Sequence, residues 1–414
     1  MRTIANISRI LTGLLFVFSG FVKAVDPIGS MIKFTEYFEA FGLEFMKDGA
    51  LGFGVLLCVA EMLIGLFLLY KIRFRFSAWL LVGFMAFFTI LTFVLAVFNP
   101  VSDCGCFGDA IHLTNWGTFF KNLVLLFPTG FIFIYRNKFR VNKSPFFHNI
   151  VPVGLLAVCL FIPYYNYNHL PVFDFRPYHI GANIPQGMIV PENAEADIFE
   201  TTFIYKKAGV EKEFTMENYP WEDTTWTFVD QKSVLVKKGY TPPIHDFILT
   251  DQYGIDVTTK ILTSKVSTLL LFSENLSHTS VSSFEKAKNI NDWARQNGFN
   301  MYVVTSSSTD IINKFSQYIS YPFNFLTADQ TMVKTVIRSN PGLVLINNGT
   351  IINKWHANDF PSVESLSPDP VSLSLKMITN ARHWWMSVSL IFVIIVFAAF
   401  FSYSNFLSKK EDVD

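Results

Sequence analysis

Asp103-Cys104-Gly105-Cys106-Phe107-Gly108-Asp109 carries two of the four cysteines of the 414-residue chain and closely follows the apolar run Ser77–Phe98. A thiol pair in such a loop can open and close as a disulfide only where the loop faces an oxidising compartment. The side of a membrane on which this loop lies therefore decides how the whole chain is to be read.

Hydrophobic residues make up 51% of the chain, 45 residues are Phe, and 16% are charged, against roughly 25% in soluble domains. The formal net charge is zero, so the composition favours neither nucleic acid nor another polyanion as a partner. This is the composition of a membrane protein, with lipid as its first partner. Crossing a bilayer takes about 20 apolar residues. The stretches long enough are Ile7–Val25, Ala50–Tyr70, Ser77–Phe98, Trp116–Tyr135, Phe147–Tyr165 and Trp384–Leu407. The first is expected to stay on the protein, because Lys23-Ala24-Val25-Asp26-Pro27 reads as a helix end rather than a cleavage site.

Basic residues set the orientation. Lys71, Arg73 and Arg75 lie between spans two and three, Arg136, Lys138, Arg140 and Lys143 between four and five, and Lys409 and Lys410 after six. All three clusters fall on one side if the N-terminus and C-terminus are both cytoplasmic. The Cys104–Cys106 loop and residues 166–383 then face outward. That outward segment holds no cysteine, while Cys58 and Cys159 lie inside spans two and five.

The order of elements divides the chain further. Residues 1–140 read as a four-helix bundle, with an amphipathic helix within Gly29–Lys47 lying on its outer side. Residues 147–165 form a fifth span, interrupted by Pro152 and Pro163. Residues 166–238 read as a small β-rich element with strands at Ile198–Tyr205, Lys212–Met216, Thr225–Val229 and Val234–Lys237. From 239 to 362 an α/β pattern follows. It has a buried strand at Ser267–Phe272, a helix at Val281–Gln296, and a hairpin turning at Asn348-Gly349, a strong two-residue turn signal. Residues 363–383 are a Ser/Pro-rich linker to the last span, 384–407.

Two resemblances follow from these residues. Residues 1–140 resemble the DoxX/MauE class of four-helix membrane proteins. The resemblance lies in Arg9-x-x-x-Gly13-x-x-Phe16-x-x-Ser19-Gly20-x-x-Lys23, in Glu61 of the second span, and in Cys104-Gly105-Cys106-Phe107-Gly108. MauE-type proteins are associated with disulfide maturation of exported partners. Residues 240–360 resemble an exported thioredoxin-like domain of the TlpA type, with Pro341 at that fold's cis-proline position. The departure is at the active site. Where thioredoxins carry Cys-x-x-Cys, this chain reads Ser273-Glu274-Asn275-Leu276-Ser277-His278-Thr279-Ser280. Without a thiol there is no nucleophile for exchange, so this domain is expected to be redox-dead. Together the resemblances imply a bacterial cytoplasmic membrane.

The chemistry-bearing residues each have a plain reading beside the functional one. Cys104 and Cys106 suit a small-ring disulfide that exchanges readily, with Gly105 easing the backbone between them. A loop-fixing disulfide, two free thiols or part of a metal site are the alternatives. A zinc ion would need more ligands than Asp103, Asp109 and His112 nearby, so no metal is assigned. Cys58 and Cys159 suit an electron relay from the loop, but buried cysteine packs as a small hydrophobe, which is the commoner case. Glu61 is the acidic residue deep in a span. As a functional group it is a proton acceptor or a contact for a quinone; as helix glue it pairs with Lys23 or Lys121, the reading the sequence favours. A lone His278 is not expected to be catalytic. No cofactor is evident, and a quinone has no readable signature here.

Two functions remain open on these grounds. One is a membrane thiol–disulfide component passing redox equivalents to exported client proteins through Cys104 and Cys106, with the thioredoxin-like domain binding the client. The other is a non-enzymatic membrane assembly or scaffolding protein, in which the cysteine pair only braces a loop.

Overall fold

The computed structural model describes residues 2–139, 145–221, 223–237, 239–366, 369–372, 374–376 and 379. The sixth apolar stretch, Trp384–Leu407, lies outside the described residues, as does much of the linker before it.

The chain begins with six helices: α1 (Arg2–Val25), α2 (Pro27–Ala40), α3 (Ala50–Tyr70), α4 (Phe74–Phe98), α5 (Asn115–Ile134) and α6 (Pro145–Asn168). Five of them, all except α2, are long and apolar enough to cross a membrane. Asp26 stops the first span and starts α2. Its Oδ1 accepts from the Gly29 backbone N–H at 2.8 Å, and Pro27 supplies a first helical position that needs no donor. Pro152 and Pro163 both lie inside α6 without ending it, as lipid-facing helices tolerate.

Helices α1 and α3 pack most closely, because glycines face each other there. A Cβ on Gly65 would lie 2.6 Å from the Gly13 carbonyl oxygen, and one on Gly20 would lie 2.6 Å from that of Cys58. Small residues of this kind let two helix backbones touch where no hydrophobic force drives them together. The four-helix core is filled by Phe16, Ile64, Leu68, Phe74, Leu81, Met85 and Ile132. At one end, Arg9 Nη1 donates to the Leu68 and Leu69 carbonyls at 2.7 and 2.6 Å, closing the C-terminus of α3.

Residues Ala182–Phe247 form a compact unit of their own. It holds a short helix, α7 (Ile184–Gly187), and the strands β1 (Ile198–Lys207), β2 (Val210–Thr215) and β3 (Thr227–Lys237) in the order β2-β1-β3, all antiparallel. The separate strands expected at Thr225–Val229 and Val234–Lys237 are one strand. The polar run Asp230-Gln231-Lys232-Ser233 between them continues the ladder opposite Ile204 to Thr201. On a sheet this exposed, a polar run does not break a strand, because neither face has to be apolar.

The other unit resumes at Ile248 with α8 (Thr258–Leu262), β4 (Thr268–Ser273), α9 (Val281–Gln296), β5 (Asn300–Thr305), α10 (Thr309–Ile319), β6 (Phe325–Thr327), α11 (Gln330–Val336), β7 (Gly342–Asn347), β8 (Thr350–His356) and α12 (Val363–Leu366). The sheet order is β6-β5-β4-β7-β8. Strands β4, β5 and β6 are parallel, and β7 and β8 run antiparallel to their neighbours. A central strand followed by the long helix α9, with an antiparallel hairpin on its other side, is a thioredoxin-like fold. Every residue of β4 is buried. Phe284, Ile290 and Trp293 of α9 cover one face of the sheet, in one cluster with Leu269 and Leu271 of β4, Leu343 and Leu345 of β7 and Trp355 of β8. Burying one such large side chain contributes about 1.5–3 kcal/mol. The Asn340–Pro341 peptide bond is cis, and the hairpin turns through Asn348 and Gly349 with φ of 44° and 71°.

Residues 168–181, grouped with the β-rich element on sequence, lie against the thioredoxin-like fold instead. Lys354 Nζ of β8 holds Asp174 Oδ2 at 2.5 Å and the Tyr178 carbonyl at 2.9 Å, and the Gly181 N–H donates to Ile351 O at 2.8 Å. Buried charge explains the placement: Asp174 also binds Arg176 Nε at 2.7 Å. The β-rich unit accordingly begins at Ala182.

Candidate functional site: the Cys104–Cys106 loop

Cys104 and Cys106 form a disulfide, with 5.5 Å between their Cα atoms. Gly105 makes the loop possible. Its φ is +62°, a left-handed conformation in which a side chain costs about 1–2 kcal/mol. Its N–H donates to Asp103 Oδ1 at 2.8 Å, and its carbonyl accepts from the Gly108 N–H at 3.1 Å. Both cysteines are half-buried.

The helices hold this loop by its main chain. The Tyr37 hydroxyl of α2 donates to Cys104 O at 2.8 Å. The Ser19 hydroxyl of α1 donates to Cys106 O at 2.8 Å, and Lys23 Nζ donates to the same oxygen. Lys33 of α2 pairs with Asp103 at 3.4 Å and with Glu36 at 2.9 Å. Burial pulls the Lys33 ammonium down, but these two carboxylates outweigh it and leave it above its ordinary value. Burial pushes the Tyr37 phenol up, and the Asp103 and Glu36 charges add to that. Tyr37 therefore stays a neutral donor.

Glu61 takes Lys23 as its partner. Lys23 Nζ lies 2.8 Å from Glu61 Oε2 and 3.1 Å from Oε1, and both residues are buried. Lys121, the other partner considered, instead sits 4.6 Å from the centroid of the Phe107 ring, as a cation–π contact. Glu61, Lys23 and Cys106 are thus linked in series.

Cys58 and Cys159 come together in one buried cluster with Ala24, Val59 and Met62, and both are free thiols. Cys58 Sγ donates to Val55 O at 3.2 Å, one turn back in its own helix. Nothing in the sequence pairs these two residues, which are brought together by the contact of α6 with α3.

Arg338 was not singled out by sequence. It lies three residues before Pro341, and it carries the thioredoxin-like domain onto the bundle end that bears the loop. Nε donates to Asp26 Oδ2 at 2.9 Å, Nη2 to Asp109 Oδ2 at 3.2 Å and Nη1 to Lys334 O at 2.6 Å. The Asp26 carboxyl is pushed up by burial, yet the Arg338 and Arg176 charges and the Gly29 N–H hold it below the ordinary carboxylate range.

The loop that replaces Cys-x-x-Cys is tied to the Pro341 turn. Ser273 Oγ donates to Asn340 Oδ1 at 2.7 Å, and Asn340 Nδ2 donates to Asn275 O at 3.0 Å. His278 is exposed on this loop. Among the described residues, no three His, Cys, Asp or Glu side chains gather in a way that could hold a metal ion.

Residues 1–135 match the family model of Methylamine utilisation protein MauE. The MauE-type region therefore contains the disulfide loop, Lys23 and Glu61. Residues 199–238, within the β-rich unit, match a Domain of unknown function (DUF8463). No curated protein matches the chain. Among solved structures, the chain is similar to the thioredoxin domain of a thiol-disulfide oxidoreductase from Bacteroides vulgatus, at 19% identity over 26% of this chain and 81% of that one, with a TM-score of 0.22. It is also similar to a secreted disulfide oxidoreductase from Mycobacterium tuberculosis, at 13% identity over 32% and 96%, with a TM-score of 0.24. Peroxidoxin BcpB of the same organism matches at 13% identity over 32% and 92%, with a TM-score of 0.25.

Proposed function

We propose that this protein is a membrane-bound thiol–disulfide component that acts on exported client proteins through Cys104 and Cys106. The observation that carries the reading is the disulfide itself, closed in a half-buried loop at the bundle end where Arg338 docks the thioredoxin-like domain. A thiol–disulfide role is the coarse reading that both the MauE-type region and the thioredoxin-like fold support.

In this proposal the bundle lies in the cytoplasmic membrane with both termini inside. The loop and residues 166–383 are on the outer side, where disulfides persist. The thioredoxin-like domain, lacking thiols in Ser273–Ser280, binds the client and leaves the exchange to the loop. A quinone is the chemical class proposed to accept the electrons afterwards, and no residue is assigned to hold it.

Trapping tests the proposal. In Cys106→Ser the remaining Cys104 thiolate can attack the disulfide of an oxidised client, and no loop thiol is left to resolve the product, so it should accumulate mixed disulfides with exported proteins that carry a disulfide. Cys104→Ser/Cys106→Ser should trap none and should lose the activity. If the double variant keeps full function and neither single variant traps a client, the protein is a scaffold and the disulfide a brace.

A further inference from the structure

Lys23 has more partners than helix packing needs. Its ammonium is shared among Glu61, the Ser19 hydroxyl at 2.8 Å and the carbonyl of Cys106, so one donor leaves the bundle core for the redox loop. The surrounding α1–α3 contact is built from glycine and apolar side chains. A buried ion pair in such a place is usually no more stabilising than apolar residues of the same volume. Packing alone therefore leaves the pair unexplained, and its link to Cys106 supplies a reason.

Resting on the thiol–disulfide reading above, we infer that the Lys23 ammonium is the counter-charge for the thiolate that leaves from Cys106 when the disulfide opens. Glu61 sets how much of that charge the loop feels. A client thiolate attacks Cys104 Sγ, the Cys104–Cys106 bond breaks, and its electron pair leaves on Cys106 as a thiolate beside Lys23. A second client thiolate then attacks the client sulfur of the mixed disulfide, and Cys104 leaves. The client loses two electrons and becomes a disulfide. The loop gains them, together with the two protons shed by the client thiols.

The other cations around the loop are already engaged, and His112 Nδ1 lies 4.0 Å from Asp103 Oδ2. On α2, Lys33 faces Asp103 and Glu36; from the thioredoxin-like domain, Arg338 faces Asp26 and Asp109. From α5, Lys121 is turned onto the Phe107 ring. From α1 and α3, Lys23 shares a single carboxylate, and Cys58 is a free thiol one turn from Glu61.

The test uses the full-length protein in membranes, in a Cys104→Ser background that leaves Cys106 as the loop thiol. The pH midpoint of Cys106 alkylation is measured with Lys23→Gln, Glu61→Gln and Lys23→Arg. Removing an opposite charge beside a thiolate should raise the midpoint by about one unit, so Lys23→Gln shifts it up. Glu61→Gln frees the ammonium and shifts it down, and Lys23→Arg stays near wild type. A purely structural pair would move both Gln variants the same way or neither, which overturns the inference. If Lys23→Gln fails to fold, Glu61→Gln decides alone: a lower midpoint supports the inference, an unchanged or higher one refutes it. A midpoint in the parent background at or above about 8.5, the value of a free thiol, overturns it whatever the variants do. The wild-type loop's exchange with dithiothreitol is followed in parallel. Failure to exchange sinks the redox reading, whereas exchange without opposite shifts sinks only this inference.

Discussion

Arg338 Nε donates to both carboxylate oxygens of Asp26, at 2.9 and 3.2 Å, joining residues 312 positions apart. Asp26 closes the first span and Arg338 precedes the Pro341 turn. The Pro341 turn of the thioredoxin-like domain is thereby fixed at the end of the bundle that carries the disulfide.

Arg338→Ala should release this contact. Removing one partner of a fully buried pair costs about 3–5 kcal/mol, because the other charge is left uncompensated; here Arg176 still faces Asp26 and Asp109 is about a third exposed, so the cost should fall below that range. Limited proteolysis of residues 169–181 should accelerate markedly. Arg338→Lys should recover part of the protection, since an ammonium cannot serve Asp26 and Asp109 together as a planar guanidinium does.

Acid should loosen the same region. Asp26 is held low as described, and Asp174, pushed up by burial, is held well below the ordinary carboxylate range by Lys354 and Arg176. Carboxyls with depressed folded values stabilise fully above their unfolded value, about 3.9, and lose that contribution as pH falls through the folded one. Unfolding measured from pH 7 downward should be flat in this component until near pH 4 and then decline. At the other end, burial and Arg176 bring Lys354 down to about 8 despite Asp174. Between about 8 and its ordinary 10.4 the unfolded chain binds more protons, so stability rises with pH across that window. Lys354→Met should lack this rise.

Gly105→Ala tests the loop conformation. A Cβ there would sit 3.2 Å from Lys33 Cγ, at a φ of +62°. The strain, about 1–2 kcal/mol, falls on the loop alone. Thermal unfolding of the bundle should hardly change, while the disulfide should be reduced at a measurably higher concentration ratio of oxidised to reduced glutathione.

Cys58→Ala/Cys159→Ala separates relay from packing. If the cluster with Met62 and Ala24 is packing, each truncation costs roughly 1 kcal/mol or less, the value of a small buried apolar group. Client exchange through the loop should then stay within about twofold of wild type. A stopped-flow assay that loses turnover while the first exchange survives would show a relay.

The legible part of this protein was the part written in long-range composition. Apolar runs long enough to span a membrane announce themselves, and Asn348-Gly349 marks its hairpin because two consecutive left-handed residues demand that chemistry. The pairing of Glu61 was legible as a choice between two lysines, since a carboxylate in a span must find a cation. Which lysine it took, and that Lys23 also reaches Cys106, depended on α1 and α3 approaching at Gly20 and Gly65. Arg338 and Lys354 were invisible because each finds its acidic partner more than 170 residues away. The continuity of β3 through Asp230–Ser233 was hidden for the opposite reason: an exposed strand carries no hydrophobic pattern to read.

The most direct test is the redox state of Cys104 and Cys106 in intact membranes, followed by differential alkylation across a graded glutathione and dithiothreitol series. An exchanging pair should equilibrate at a mild potential, in the range of the glutathione couple, and report as outward-facing to an impermeant alkylating reagent. A pair that stays oxidised until the potential falls below about −300 mV, as structural disulfides do, would contradict a redox role and leave the loop a brace.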